Sequence, residues 1–262
     1  MEEAGAMTPL IETRDLRKVF DSKGGASFCA LDGVNLSVYE KEFVCLLGPS
    51  GCGKSTWLRI VAGLEKSTSG DVLFRGEPVT GPSKERGMVF QEYSLFPWRT
   101  VLDNVMLGPE FCGMSAAKRR EKGMDFLSRV GLEEFADALP HELSGGMRQR
   151  AAIVRALAND PEVLLMDEPF GALDAHTRVL LQKELLRIWE QDKKTVIFVT
   201  HSVDEALYLA DRVIVLSAHP GRVLEEIKVP FPRPRSRGAA GFGEMTERIF
   251  TLLESAQEAN GD

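Results

Sequence analysis

Two short stretches of this 262-residue chain carry residue types suited to phosphate chemistry. The first is Gly48-Pro49-Ser50-Gly51-Cys52-Gly53-Lys54-Ser55-Thr56, which follows an apolar run ending at Leu47 and opens a helical pattern running to about Leu64. Glycines let successive backbone N–H groups converge on phosphate oxygens, and a helix N-terminus adds its positive end. With strand, loop and helix in this order, the residues read as a P-loop: Lys54 reaches the β- and γ-phosphates of a nucleotide, and Ser55 offers a hydroxyl to Mg2+. The competing reading is a glycine-rich turn that caps a helix and holds no ligand.

The second stretch is Val163-Leu164-Leu165-Met166-Asp167-Glu168-Pro169, an apolar strand ending in two carboxylates. Open α/β sheets bind their ligands at the carboxyl ends of strands. Asp167 there suits the shell of a magnesium ion, and Glu168 suits an attacking water, as general base or water orienter. Alone, the pair could equally be a solvated strand end stopped by Pro169; together with the P-loop it completes a nucleotide-hydrolysing set. Cys52 lies inside the loop, where a helix N-terminus can lower a thiol pKa. The expectation is a thiol that alkylates and is shielded by nucleotide, the alternative an inert small residue.

The elements that must position these groups follow an α/β pattern. Short β-rich runs (Leu36 to Val38, Phe43 to Leu47, Val72 to Phe74, Met88 to Phe90, Val163 to Met166, Val196 to Thr200, Val213 to Leu216) alternate with helical stretches and turns. Several are continuously apolar, which predicts strands covered on both faces in a largely parallel sheet. From about Ser94 to Ala158 strand signals vanish and amphipathic patterns take over, with Leu127, Val130, Leu132 and Phe135 as an apolar face. This predicts a helical insertion. After Val229 comes Pro230-Phe-Pro-Arg-Pro-Arg-Ser-Arg-Gly, read as a solvated linker, then a last helix from about Gly243 to Ala259. There is no internal repeat, so the chain holds one nucleotide-binding module.

Bulk properties narrow the partners. A formal charge of −7 argues against a phosphate-tracking surface, so no nucleic acid is expected. No apolar run approaches the roughly 20 residues that span a bilayer. The opening Met1-Glu-Glu-Ala-Gly-Ala-Met7 lacks the basic start and apolar stretch of a secretory signal, which predicts a cytoplasmic protein. Cysteines 29, 45, 52 and 112 show no pairing suited to zinc and no histidines nearby, so reduced thiols are expected.

A P-loop and an acidic strand occur in many nucleotide enzymes; other segments choose among them. Leu143-Ser144-Gly145-Gly146-Met147-Arg148-Gln149-Arg150 resembles the LSGGQ signature of ABC ATPases, with Met147 in place of the usual Gln. On its own chemistry Ser144 is a good N-cap, and the paired glycines admit close backbone approach. Gln91 resembles the Q-loop glutamine, Gly171-Ala-Leu-Asp174 the D-loop, and Thr200-His201-Ser202 the switch histidine, all in the family's order. Phe20 resembles the aromatic that stacks on adenine, a core Phe being the alternative.

The resemblance implies a P-loop NTPase with a RecA-like core, an N-terminal antiparallel β-element and an inserted α-helical ABC subdomain. Residues 1–229 would form one ABC ATPase domain, with 1–90 and 156–229 as core and 91–155 as helical subdomain; 230–262 would be linker and helical tail. It implies ATP and Mg2+ as cofactors. Gly48, Pro49, Ser50, Gly51, Cys52, Gly53, Lys54, Ser55, Thr56 and Phe20 would hold ATP, and Ser55, Gln91 and Asp167 the metal. Glu168, His201 and Gln91 would be catalytic. Ser144, Gly145, Gly146 and Asp174 would address ATP on the opposite subunit, so the active species would be a homodimer sandwiching two ATP.

Gln91-Glu-Tyr-Ser-Leu-Phe-Pro-Trp98 carries apolar side chains that suggest a docking surface. In related importers such a groove receives a short helix of the membrane permease; packing of Phe96 and Trp98 inside the helical subdomain is the alternative. Gly81 to Gln91 and Ser217-Ala-His-Pro-Gly-Arg222, with Pro232 to Arg235, resemble the nitrate/sulfonate/taurine importer branch. The implied function is uptake of a small anionic solute through a separate permease, at the cytoplasmic face of the inner membrane and with a solute-binding protein acting indirectly. A soluble non-transport ABC ATPase or an exporter subunit is the alternative.

Overall fold

The computed structural model describes residues 8–21 and 27–258. The opening segment Met1 to Met7 and Ala259, the expected end of the last helix, lie outside the described residues. In chain order the elements are β1 (Ile11–Asp21), β2 (Ser27–Val38), β3 (Phe43–Leu47), α1 (Lys54–Val61), β4 (Ser69–Phe74), β5 (Glu77–Pro78), β6 (Arg86–Val89), α2 (Val101–Val105), α3 (Leu107–Phe111), α4 (Ala116–Arg129), α5 (Gly145–Leu157), β7 (Val163–Asp167), α6 (Ala175–Asp192), β8 (Thr195–Thr200), α7 (Val203–Leu209), β9 (Arg212–Leu216), β10 (Val223–Lys228) and α8 (Phe242–Glu258). They fall into two compact units, one taking the chain up to Pro82 and again from Thr195, the other spanning Ser83–Lys194.

In the first unit β3 pairs in parallel with β8, from Phe43↔Val196 to Leu47↔Thr200, and on its other edge with β9. Strand β10 closes this set antiparallel to β9. Every residue of β3 and β8 is buried, which is why both read as unbroken apolar runs. The order β2-β1-β4-β5 forms a separate, antiparallel sheet, the β-element expected near the N-terminus. Its strand β1 and the later β10 did not stand out in the sequence because charged, solvent-facing residues interrupt them. Helix α1 is fastened to β1 by fully buried Trp57, whose indole N–H donates to Thr13 Oγ1 at 3.5 Å. It ends at Val61 rather than near Leu64, because Gly63 turns the chain at φ 76° and a Cβ there would lie 2.2 Å from the Gly81 carbonyl oxygen.

The second unit pairs β6 with β7 in parallel, from Arg86↔Val163 to Val89↔Met166. Helices α2 to α5 fill the stretch expected to be helical. Leu127, Val130 and Leu132 are buried as their periodicity predicts, but Phe135 is exposed. The reason is local: α4 stops at Arg129, and Phe135 ends a separate 3-10 turn over Glu133–Phe135, so the helical period does not reach it.

The arginines expected in a solvated linker are instead fastened down. Arg235 is only 7% exposed and donates to the carbonyls of Phe231, Leu207 and Tyr208 at 3.0, 3.0 and 3.1 Å. Arg233 pairs with Asp211. Arg237 forms a two-pronged pair with Asp204 at 2.6 and 2.7 Å and lies 4.1 Å from the Tyr208 ring centre. Arg233 and Arg235 thus tie the segment after β10 to the C-terminal carbonyls of α7, where cations are favoured, and Arg237 ties it to the first turn of the same helix.

Candidate nucleotide site

In the first unit, the loop from Gly48 to Thr56 leaves buried β3 and enters α1 with Gly53 as N-cap at φ 90°. A side chain at Gly53 is excluded twice, by its left-handed backbone and because a Cβ would lie 2.7 Å from the Ala30 carbonyl oxygen. At Gly48 a Cβ would meet Cys52 Sγ at 2.7 Å and the Leu216 carbonyl oxygen at 2.9 Å. The glycines thus let the loop lie against β2 and β9. Lys54, 4% exposed, folds back so that its ammonium donates to the carbonyls of Gly48 and Pro49 at 2.7 and 2.9 Å. That places a cation inside the loop, beside the exposed Ser50 and Gly51, and the loop fits a polyphosphate: backbone donors at a helix N-terminus around a held ammonium.

Cys52 departs from expectation. Its side chain is fully buried, and burial raises the thiol pKa, against the opposing pull of the Lys54 ammonium 3.6 Å from Sγ. Burial and the desolvation cost of a thiolate both oppose alkylation, which favours the inert small residue over the reactive thiol.

At the end of β8, exposed His201 is followed by Ser202, whose hydroxyl caps α7 by accepting from Glu205 N–H at 3.3 Å. Thr200 Oγ1 donates to the Glu205 carboxylate at 2.6 Å and accepts from Ser202 N–H at 3.0 Å. The backbone on both sides of His201 is therefore fixed. Phe20 stands opposite Phe28 across the β1–β2 ladder, both partly exposed, with Lys18 Nζ 4.6 Å from the Phe20 ring centre. An exposed ring under a cation at a strand end matches a stacking platform better than a core Phe.

The second unit carries the remaining set. Asp167 is buried at the end of β7, and Glu168 follows at φ 43°. A glutamate held in the left-handed region is strained, and such strain concentrates at functional positions. Gly171 N–H donates to the Glu168 carbonyl at 3.1 Å, and a Cβ on Gly171 would lie 3.9 Å from Glu168 Oε2. Asp174 caps α6 by accepting from Thr177 N–H at 2.9 Å, which holds its carboxyl below the usual range. Ser144 caps α5 through Met147 N–H at 3.3 Å. A Cβ on Gly146 would lie 2.8 Å from Thr177 Cγ2, and one on Gly145 3.1 Å from the Tyr93 hydroxyl, so both glycines are closely packed within the chain.

Gln91 is exposed just beyond β6. The loop after it is held from two sides. Arg155, its pKa lowered by burial, donates to the carbonyls of Ser94 and Tyr93 at 2.6 and 3.2 Å. Fully buried Asn104 donates to the carbonyls of Phe96, Arg99 and Thr100 at 2.9 to 3.1 Å and accepts from Phe96 N–H at 2.7 Å. Trp98, 72% exposed, meets Phe96 edge-on at 5.4 Å, which excludes packing of the indole inside the subdomain. Beside it lies a cleft of about 440 Å³ lined by Phe90, Phe96, Leu107, Phe111 and Arg155, with Phe111 81% exposed. Among the described residues no helix is long and apolar enough to cross a membrane.

Comparison with known proteins places these features in context. A family model described as "ABC transporter" matches residues 31–171. An uncharacterized ABC transporter ATP-binding protein of Methanocaldococcus jannaschii is 55% identical over 244 residues, covering 93% of this chain and 91% of the relative. A taurine import ATP-binding protein of Rhizobium johnstonii is 45% identical over 247 residues, covering 91% and 94%. An aliphatic sulfonates import ATP-binding protein of Bacillus cereus is 43% identical over 244 residues, covering 93% and 96%. Among solved structures, a dimeric ATP-binding cassette in a post-hydrolysis state with ADP and Pi has a TM-score of 0.75 at 36% identity, covering 85% of this chain and all of that one.

Proposed function

The chain belongs to the ABC transporter family and is one of its ATP-binding, ATP-hydrolysing cassettes, and from that premise we propose that it energises an importer for a small anionic solute. The observation that carries the transport reading is the cleft beside Phe96 and Trp98. Exposed aromatic side chains on a loop fastened by Asn104 and Arg155 make a rigid apolar surface, suited to a short helix of a membrane partner. The likeness to relatives described as taurine and aliphatic sulfonate import proteins supports a sulfonate-like or other small anion as solute. The protein would then work at the cytoplasmic face of the membrane, bound to permease subunits, with a solute-binding protein acting indirectly.

In this reading the backbone of Ser50 to Lys54 and the Lys54 ammonium hold the β- and γ-phosphates of ATP, and Thr56 and Ser55 extend the cradle into α1. Phe20 stacks on adenine. Ser55, Asp167 and Gln91 hold Mg2+, which when bound neutralises charge on the phosphate oxygens; a hydroxyl, one carboxylate and an amide oxygen are donors that ion accepts. Glu168 takes the proton of the attacking water, and His201 steadies the γ-phosphate. Ser144, Gly145, Gly146 and Asp174 meet the ATP of a second copy, an anion that the N-terminus of this chain's α5 favours.

The test is to tag Glu168→Gln protein in its source cell, solubilise membranes gently with MgATP and identify co-purifying proteins by mass spectrometry. Recovery of a multi-span permease is expected. Recovery of soluble partners alone, with wild-type ATPase activity intact, overturns the transport assignment and leaves the ATPase chemistry standing.

A further inference from the structure

The segment Ser217 to Arg222 has no part in the chemistry described so far, yet it is built against the phosphate loop. Its turn is closed on itself: Ser217 N–H donates to the Arg222 carbonyl at 2.9 Å, and the Ser217 hydroxyl accepts from Arg222 N–H at 3.0 Å and donates to the Pro220 carbonyl at 2.8 Å. It is also pinned to β2, where Gly221 N–H donates to the Ala30 carbonyl at 3.0 Å, Asp32 N–H to the Gly221 carbonyl at 3.1 Å, and Arg222 pairs with Asp32. Gly221 touches the loop itself, since a Cβ there would lie 2.1 Å from the Cys52 carbonyl oxygen.

This scaffold presents one side chain. His219 sits at φ 48°, a backbone region that non-glycine residues occupy at a cost, and its imidazole is exposed, so core packing does not require it. The ring edge faces the loop: a Cβ built on Gly51 would lie 3.2 Å from His219 Cε1 and 3.6 Å from Nε2. On its other side the imidazole meets Phe28 in a T-shaped contact, centres 5.7 Å apart. Phe28 in turn stands opposite Phe20 on the same face of the β1–β2 ladder. The order across this surface is Phe20, Phe28, His219, Gly51, running from the base platform to the phosphate loop.

We propose that His219 is a ligand of the bound nucleotide, donating an imidazole N–H to its phosphate chain beside Gly51, with Phe28 fixing the plane of the ring. A donor in that place adds a charge-assisted bond to an anion whose other partners are backbone amides and Lys54. The strained turn is retained because it delivers this donor, much as strain is held elsewhere at functional positions. The inference rests on the reading that MgATP occupies the phosphate loop.

The test measures MgATP and MgADP affinity by calorimetry, and KM and kcat for ATP hydrolysis, in wild-type, His219→Asn and His219→Arg proteins. Asparagine is at ease at positive φ, so His219→Asn removes the imidazole without adding backbone strain. The expected result is about tenfold weaker nucleotide binding and a KM raised in proportion, with kcat at saturation changed less than twofold. His219→Arg, which restores a donor, is expected to recover most of the affinity. Wild-type affinity in His219→Asn overturns the inference alone, as does His219→Arg binding as weakly as His219→Asn. Wild-type protein that binds no MgATP overturns the underlying nucleotide reading, and this inference with it.

Discussion

The Lys54 ammonium donates to the carbonyl oxygen of Gly48 at 2.7 Å, closing the phosphate loop on itself across six residues. With Pro49 as second acceptor, the cation is held inside the loop by two neutral carbonyl dipoles, which an incoming phosphate outcompetes by its charge. Lys54→Ala is therefore expected to weaken MgATP binding about 10- to 100-fold, the worth of a charge-assisted contact. Titration calorimetry checks this, and unchanged affinity refutes the cradle.

Glu168 separates binding from chemistry. Its side chain differs from glutamine by one proton acceptor and is nearly the same size, so the exchange removes the base with little change in shape at a backbone held at φ 43°. Glu168→Gln is expected to bind MgATP as the wild type does while hydrolysis falls by about 10²- to 10⁴-fold, or roughly 3 to 5 kcal/mol of barrier. Phosphate release under single-turnover conditions is the measurement, and hydrolysis at the wild-type rate removes Glu168 from the role of base.

What could be read from the sequence divides along physical lines. Strands buried on both faces, such as β3 and β8, announce themselves as apolar runs, and the phosphate loop is legible because its chemistry requires glycines at fixed spacing. Strands β1 and β10 were not legible, since solvent-facing charges break their pattern. Arg235 misled for a different reason: composition alone cannot tell a solvated arginine from one buried against helix-end carbonyls. Gly145 and Gly146 were legible as a motif, but their packing against Tyr93 and Thr177 within one chain was not. His219 lay in a segment recognisable only by resemblance, and its approach to Gly51 is a tertiary fact that no local pattern encodes.

Arg235 should be a determinant of stability. Its guanidinium satisfies the carbonyls of Leu207 and Tyr208 at the end of α7 and that of Phe231 in its own segment. Burial and the neighbouring Arg233 lower its pKa to about 10. The folded state thus releases this proton more readily than the unfolded state, so the group adds a rise in stability only above about pH 10 and none between pH 5 and 8. Arg235→Met is expected to cost about 2 to 4 kcal/mol at any neutral pH, because it strips partners from buried carbonyls. Urea unfolding at pH 6 and pH 8 checks both statements; a loss below about 0.5 kcal/mol would return the segment to the status of a solvated linker.

Cysteine labelling tests the interior of the phosphate loop without touching its function. Cys52 and Cys45 are fully buried with thiol pKa values raised by desolvation, Cys29 is half-buried with its thiol donating to the Leu31 carbonyl at 3.3 Å, and Cys112 is exposed after α3. A raised pKa lowers the thiolate fraction at pH 7.5, and burial denies the reagent access, so both effects act in the same direction. Brief treatment of native protein with a maleimide, followed by peptide mapping, is expected to modify Cys112 at least tenfold faster than Cys52, with or without MgATP. Rapid labelling of Cys52 that MgATP suppresses would mean that the loop opens on the timescale of the reaction, exposing Lys54 and Gly48 to water before nucleotide arrives.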